Sequence, residues 1–185
     1  MKDFKRHVRC RVCGSERLEQ YLDLGNVPLA NSLQNSPEDE AENYPLQVLF
    51  CEDCALSQLS VVVDPEIMYL NYPYHSSVSA TFREHCAEMV KKLKPMVTVE
   101  NPWVVDIASN DGCLLEQFKA EGCEVIGIEP AKNLAEISRN KGIKTINDYW
   151  SEDSSEAVLG ADIITATNVF AHVNDVRNFL GGVEK

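Results

Sequence analysis

The sequence is short of positive charge. Against 29 aspartates and glutamates stand 17 lysines and arginines, a formal net charge of -12 over 185 residues. A field of that sign repels nucleic-acid backbones and anionic lipid surfaces, so neither is expected as a partner. Long apolar runs are missing as well, because no stretch approaches the roughly 18 residues of a membrane span. The opening MKDFKRHVRC has no apolar core of signal-peptide type, and the expected location is cytoplasmic. No internal period of solenoid length is visible. What remains is a composition with 44% hydrophobic and 25% charged residues, that of a chain able to bury one large core or two small ones.

Cysteine is the residue in surplus. Seven cysteines in a reducing compartment argue against a disulfide framework, and four of them form two CxxC pairs, Cys10/Cys13 and Cys51/Cys54. A CxxC turn sets two thiolates on one side of an ion while its backbone amides face the sulfurs, and two such turns complete a tetrahedral zinc shell. Four cysteines leave no position for water, so the zinc is expected to be structural. A redox CxxC normally opens a helix in a thioredoxin-like unit, a setting neither pair has. His7 could compete as a ligand but, with four cysteines present, reads as a surface residue; His85 reads as a surface or interface residue, and Cys86, Cys113 and Cys123 as small core residues.

Around the pairs, strands are expected near Leu18–Leu24, Leu46–Phe50 and Leu59–Val63, with the acidic run 34–45, QNSPEDEAENYP, as a solvated loop. From Ser76 the pattern changes: Phe82, Cys86, Met89, Val90 and Leu93 share one helix face, and Pro95 ends it. Alternating units follow, with strands at Trp103–Ala108, Glu124–Glu129, Ile143–Ile146 and Asp162–Ala166. Helices are expected at Cys113–Ala120 and Leu134–Lys141, weakly at Ser154–Leu159, and from about Val176. Alternation with short links predicts an α/β chain with a parallel sheet behind a small zinc-knuckle β domain. The domains are drawn at 1–66 and 67–185.

The segment WVVDIASNDG, Trp103 to Gly112, is an apolar strand running into small and polar residues, then a glycine and a helix. Ligands of open α/β sheets bind outside the carboxyl ends of such strands. Seventeen positions after Gly112 the next strand ends in Glu129, where a carboxylate can accept both hydroxyls of a ribose. The loop is not GxGxxG, and Asp106 and Asp111 would repel a pyrophosphate. S-adenosylmethionine, which carries a sulfonium and an ammonium but no phosphate, suits its charge. After the third strand, Asp148 is placed either to meet the adenine amino group or to cap a helix. Tyr149 and Trp150 either flank the ring or fill the core.

These residues together resemble the sugar C-methyltransferases of deoxysugar biosynthesis. The resemblance is carried, in order, by the two CxxC knuckles, DLGNVPLAN (Asp23 to Asn31), YPYHSS (Tyr72 to Ser77), DIASNDG, GIEP (Gly127 to Pro130) and NVFAH (Asn168 to His172). It implies a partial class I methyltransferase (Rossmann-like) sheet and methylation of a ring carbon beside the ketone of a nucleotide-linked keto-deoxysugar. A base removes the acidic C–H proton, and the enolate attacks the sulfonium methyl in line. Tyr74 and His172 would face the reacting centre, with Ser76 and Ser77 near Tyr74. Asp106, Ala108, Ser109, Asn110 and Gly112 would line the cofactor loop, and Glu129, Pro130, Asp148, Tyr149 and Asn168 the rest of that site. Two departures are visible: alanine stands at 108 where the family usually has glycine, and the chain stops at Lys185 with four strands of a usual seven. The expectation is an N-terminal portion, inactive alone, that associates with itself or a partner chain through its incomplete sheet. The alternative is a zinc-stabilised interaction module with no catalysis of its own, pairing with a second chain.

Overall fold

The computed structural model describes residues 4–36, 38–70 and 72–185, so Pro37 of the acidic run lies outside the described residues. The chain divides into two compact units, Met1–Leu70 with Ala171–Arg177, and Asn71–Phe170 with Asn178–Lys185. Among the described residues no helix is long and apolar enough to cross a membrane.

The first unit is antiparallel. Strands β2 (Leu18–Pro28), β3 (Asn43–Cys51) and β4 (Ser57–Leu59) form one sheet in that order, while β1 (Phe4–Arg6) pairs with β5 (Val61–Val63). The run Leu59–Val63, expected as one strand, is broken at Ser60. There the backbone N–H donates to Gln47 O and the carbonyl accepts from His7 N–H, handing the chain from one sheet to the other. The acidic run is loop only to Glu42. Asn43 already pairs with Pro28 in β3, and Tyr44 is buried. His7 is half-buried rather than at the surface. Apolar burial is thin here: among the described residues Val61, Val62, Val63, Tyr44, Val176, Cys10 and Cys51 account for it, and β2 is exposed along almost its whole length. Helix α1 (Pro65–Tyr69) closes this part, started by the Asp64 carboxylate accepting Glu66 N–H and by Pro65 in its first turn.

The second unit is a parallel sheet of β6 (Trp103–Ile107), β7 (Glu124–Ile128), β8 (Lys144–Ile146) and β9 (Ile163–Thr165), in the order β8-β7-β6-β9. That is the 3-2-1-4 core of a Rossmann-like sheet, and the order reverses between β6 and β9. Helix α2 (Ala80–Leu93) starts at Ser79, whose Oγ accepts Phe82 N–H. It buries Cys86 and Val90 with Val104, Leu114, Leu115 and Phe118 on one face of the sheet. Val105, Ile126, Ile128 and Val158 fill the other face with Trp103, Trp150 and Ile164. Strands covered on both faces explain the near-continuous apolar runs in the sequence. Helices α3 (Cys113–Ala120), α4 (Lys132–Asn140) and α5 (Val176–Glu184) follow the expected alternation, and Ser154–Val158 is a single 3₁₀ turn. Cys86, Cys113 and Cys123 are all buried in the core.

Candidate functional site

The two CxxC turns are built alike. Gly14 N–H donates to Cys10 O and Cys10 N–H to Ser15 O; Ala55 N–H donates to Cys51 O and Cys51 N–H to Leu56 O. Gly14 and Ala55 both take left-handed backbone, φ 79° and 61°, which turns the chain back so that each pair of sulfurs faces inward. Gln58, buried on β4, holds the first turn by accepting Arg11 N–H and donating to Arg9 O. The four Sγ atoms lie within 4.8 Å of one another, with Cys10 to Cys54 at 3.5 Å and Cys13 to Cys51 at 3.6 Å. A zinc tetrahedron with bonds of about 2.3 Å has sulfur edges of about 3.8 Å, so the donor set fits that ion. Burial opposes ionisation of Cys10, yet the amides of Cys13 and Val12 with the Cys13 and Cys54 thiols hold it down to about 6. At Cys54 the Leu56 amide favours the thiolate, but burial and the three other cysteines push the thiol up to about 12. Four thiolates this close are compatible only around a cation.

At the carboxyl end of the parallel sheet lie two buried carboxylates. Asp106, the fourth residue of β6, accepts a 2.7 Å hydrogen bond from Thr165 Oγ1 at the end of β9, across the place where the strand order reverses. Burial lifts its carboxyl to about 7, the Thr165 hydroxyl opposing and the Glu129 charge adding to the rise. Glu129, just past β7, is raised by burial and partly held down by two backbone amides, Ala131 N–H to Oε1 at 2.8 Å and Asn110 N–H to Oε2 at 2.7 Å. Those amides aim the carboxylate and leave a second lone pair on each oxygen. Among the described residues neither Asp106 nor Glu129 has a cationic partner, whereas Asp111 pairs with Lys141 at 3.4 Å. Two uncompensated buried carboxylates at a switch point favour a cationic ligand over an anionic one.

The loop between them alternates unusual backbone. Ala108, Asn110 and Gly112 have φ of 52°, 53° and 80°. Asparagine and glycine tolerate this region, and alanine does not. Ala108→Gly is therefore expected to stabilise the second unit by about 0.5–1 kcal/mol, read as a raised urea midpoint; a lowered midpoint would show the strain to be relieved elsewhere. Gly112 is required by packing as well as by φ, since a Cβ there would meet Ser138 Oγ on α4 at 2.7 Å. Ser109 is buried, and it sits against Gly127 so closely that a Cβ at 127 would lie 2.2 Å from its Oγ.

Other residues singled out in the sequence take varied places. Pro130 O and Glu129 O both accept from Asn147 Nδ2, a tie between the ends of β7 and β8 that the sequence pattern did not reveal. Asp148 is exposed and accepts Tyr149 N–H. It caps no helix, since the next helical turn begins at Ser154. Trp150 fills the core, its Nε1 donating to Phe179 O, while Tyr149 is half-buried. Asn168 occupies a left-handed turn after β9, φ 58°. Tyr74 belongs to the second unit, with its ring exposed and edge-on to Tyr72 at 6.5 Å. His172 belongs to the segment counted with the first unit and lies in a 3₁₀ turn, 6.3 Å from the Tyr69 ring.

Residues 10–69 match a family model described as "Putative zinc binding domain", a methyltransferase-associated domain. Over 99% of its length the chain is 29% identical to the C-methyltransferase NovU of Streptomyces niveus, covering 46% of that protein. Over 52% of its length it is 33% identical to the ubiquinone biosynthesis O-methyltransferase of Rhodopseudomonas palustris (strain BisB5), covering 40% of it. The chain thus spans less than half the length of either curated relative. Among solved structures, magnesium protoporphyrin IX methyltransferase (ChlM) from Synechocystis PCC 6803 superimposes with a TM-score of 0.44 at 14% identity, over 55% of this chain and 52% of that one. The chain is thus similar to a zinc-binding domain model at its knuckles and, along almost its whole length, to part of a C-methyltransferase.

Proposed function

We propose that the chain binds S-adenosylmethionine at the carboxyl ends of β6 and β7 and serves C-methylation of a nucleotide-linked keto-deoxysugar. The observation that carries the cofactor reading is the pair of buried carboxylates, Asp106 and Glu129, at the switch point of the sheet, without a cationic partner among the described residues. The bound cofactor supplies an electrophilic methyl on a positively charged sulfur. Glu129, aimed by the Asn110 and Ala131 amides, accepts the ribose hydroxyls, and Asp106 contributes negative potential to the cationic end. Ser109, Pro130, Asp148, Tyr149 and Asn168 line the approach around them.

The acceptor reading rests on alignment with a protein named as a C-methyltransferase and on the resemblance of the knuckles, YPYHSS and NVFAH to the sugar C-methyltransferases. Carbon becomes nucleophilic when a proton beside a ketone is removed, and Tyr74 and His172 are the side chains proposed to handle that proton. The zinc site, closed by four thiolates, takes no part in this chemistry.

Calorimetry with S-adenosylmethionine tests the cofactor site. Glu129→Gln keeps an acceptor for Ala131 N–H but loses the charge, and is expected to weaken binding by about tenfold to a hundredfold. Equal affinity in the variant would remove Glu129 from the site. Incubation with a nucleotide-linked keto-deoxysugar and a methyl-labelled cofactor, with product detected by mass, tests the acceptor.

A further inference from the structure

Between α1 and α2 the chain crosses the second unit as a strap, Tyr72–Ser77. Residues 72–75 belong to no helix or strand. Backbone groups without a ladder must find other partners, and here side chains provide them. Asn133 on α4 accepts Tyr72 N–H at Oδ1 (3.3 Å) and donates from Nδ2 to Tyr72 O (2.8 Å), a closed two-bond ring like one rung of a sheet. Asn110 donates from Nδ2 to Tyr74 O (3.1 Å) and accepts Ser76 N–H at Oδ1 (3.0 Å), which also receives Asp111 N–H. Asp111, fully buried, accepts both the N–H and the hydroxyl of Ser77.

These gripping residues follow the ends of β6 and β7, on either side of Glu129. Asn110 is the junction: its backbone N–H aims the Glu129 carboxylate, while its side chain fixes the backbone of Tyr74. The Asn110 amide is largely engaged by the strap: its oxygen accepts two bonds and its nitrogen donates to Tyr74 O, with one N–H of the nitrogen remaining. Of the three groups that the amide bonds, two are strap backbone and one is its neighbour's N–H.

We infer that Asn110 and Asn133 are positioning residues, which clamp the Tyr72–Ser77 strap across the ends of β6 and β7 and make the placement of Tyr74 depend on the occupancy of Glu129. This rests on the reading of Glu129 as the cofactor carboxylate. The relay is short: a ligand that pulls on Glu129 moves Asn110 N–H, and the same residue's side chain carries that movement to Tyr74 O.

Asn110→Gly is the clean variant, because glycine keeps the left-handed backbone and the N–H to Glu129 while deleting only the amide. Asn133→Ala, on a helix, is the second and leaves Glu129 untouched. Hydrogen exchange over 72–78 and the 3-fluorotyrosine resonance at position 74, assigned with Tyr74→Phe, are read with and without S-adenosylmethionine. In either variant the strap amides are expected to exchange about tenfold faster than wild type without ligand, and in Asn133→Ala cofactor affinity stays within about threefold of wild type. The wild-type Tyr74 resonance shifts on cofactor addition, and in Asn110→Gly it does not. Wild-type protection of the strap in both variants, or a cofactor-induced shift that survives in Asn110→Gly, overturns the inference. A wild type that does not bind S-adenosylmethionine refutes the cofactor reading and the relay with it, whereas intact binding with an unmoved Tyr74 resonance refutes the relay alone.

Discussion

A chain carrying Cys51→Ser is expected to lose its metal and, with it, the hydrogen-exchange protection of the β2–β3–β4 sheet. The first unit has little else to stand on. Its buried apolar side chains come mainly from Val61, Val62, Val63 and Tyr44, and β2 presents Tyr21, Leu22 and Leu24 to solvent. Small domains with so thin a core usually depend on a metal or a cross-link. A structural zinc site contributes about 10–16 kcal/mol of apparent binding free energy, far more than a domain of this size keeps in reserve. Cys51 is the most damaging position because its sulfur is fully buried and its carbonyl anchors the second turn through Ala55 N–H. Elemental analysis should show about one zinc per wild-type chain and none in the variant. A chelator should reproduce the loss of protection, which metal restores. A metal-free chain whose β2–β3 amides stay protected would show that the cysteines are ornamental to the fold.

Asp106→Asn should stabilise the second unit by about 2–4 kcal/mol at pH 8 and by almost nothing near pH 4. The sign follows from the direction of the shift. Burial raises the carboxyl from its ordinary 3.8 to about 7 in the folded chain, so between those values the folded state binds the proton more tightly than the unfolded one. Stability is fully present below the unfolded value and is lost as pH rises through the folded value. Asparagine removes the ionisation and still offers an oxygen to Thr165 Oγ1, so the hydrogen bond between β6 and β9 survives. Urea unfolding at pH 5 and pH 8 reads the effect as a variant whose midpoint is nearly level while wild type falls. A variant less stable than wild type at pH 8 would mean that the charge is already compensated in the fold. The same change should weaken S-adenosylmethionine, since a site that holds an unpaired charge at a cost in stability holds it for a ligand.

Features carried by local pattern were legible in the sequence. The bounds of α3 follow from Gly112 and the apolar face of Leu114, Leu115 and Phe118, and the cysteine spacing alone located the cluster of four sulfurs. Asp106 and Glu129 were marked by their position at the ends of apolar strands. What could not be read were bonds between residues far apart in sequence. Nothing periodic signals that Asn110 and Asn133 grip the strap, that Gln58 holds the first knuckle, or that Ser60 divides a run of valines between two sheets. Each of these is a single polar side chain or backbone group whose partner is set by tertiary geometry. Nor does the pattern show that the missing Cβ of Gly112 makes room for Ser138.

The contact between Ser109 and Gly127 makes the two positions one heritable unit. A methyl group at 127 would overlap both the Oγ and the Cβ of Ser109, at 2.2 and 2.8 Å, in a core where neither can retreat. An alanine arriving first at 127 meets a folded chain that has no place for it. The same alanine arriving after serine 109 has become glycine is relieved of both overlaps and meets Leu115 Cδ1 at 3.1 Å. The packing thereby orders admissible change: a side chain at 127, near the end of β7, is expected to be accommodated only after the loop following β6 has changed. The two sites should be inherited together, although 17 residues lie between them in the chain.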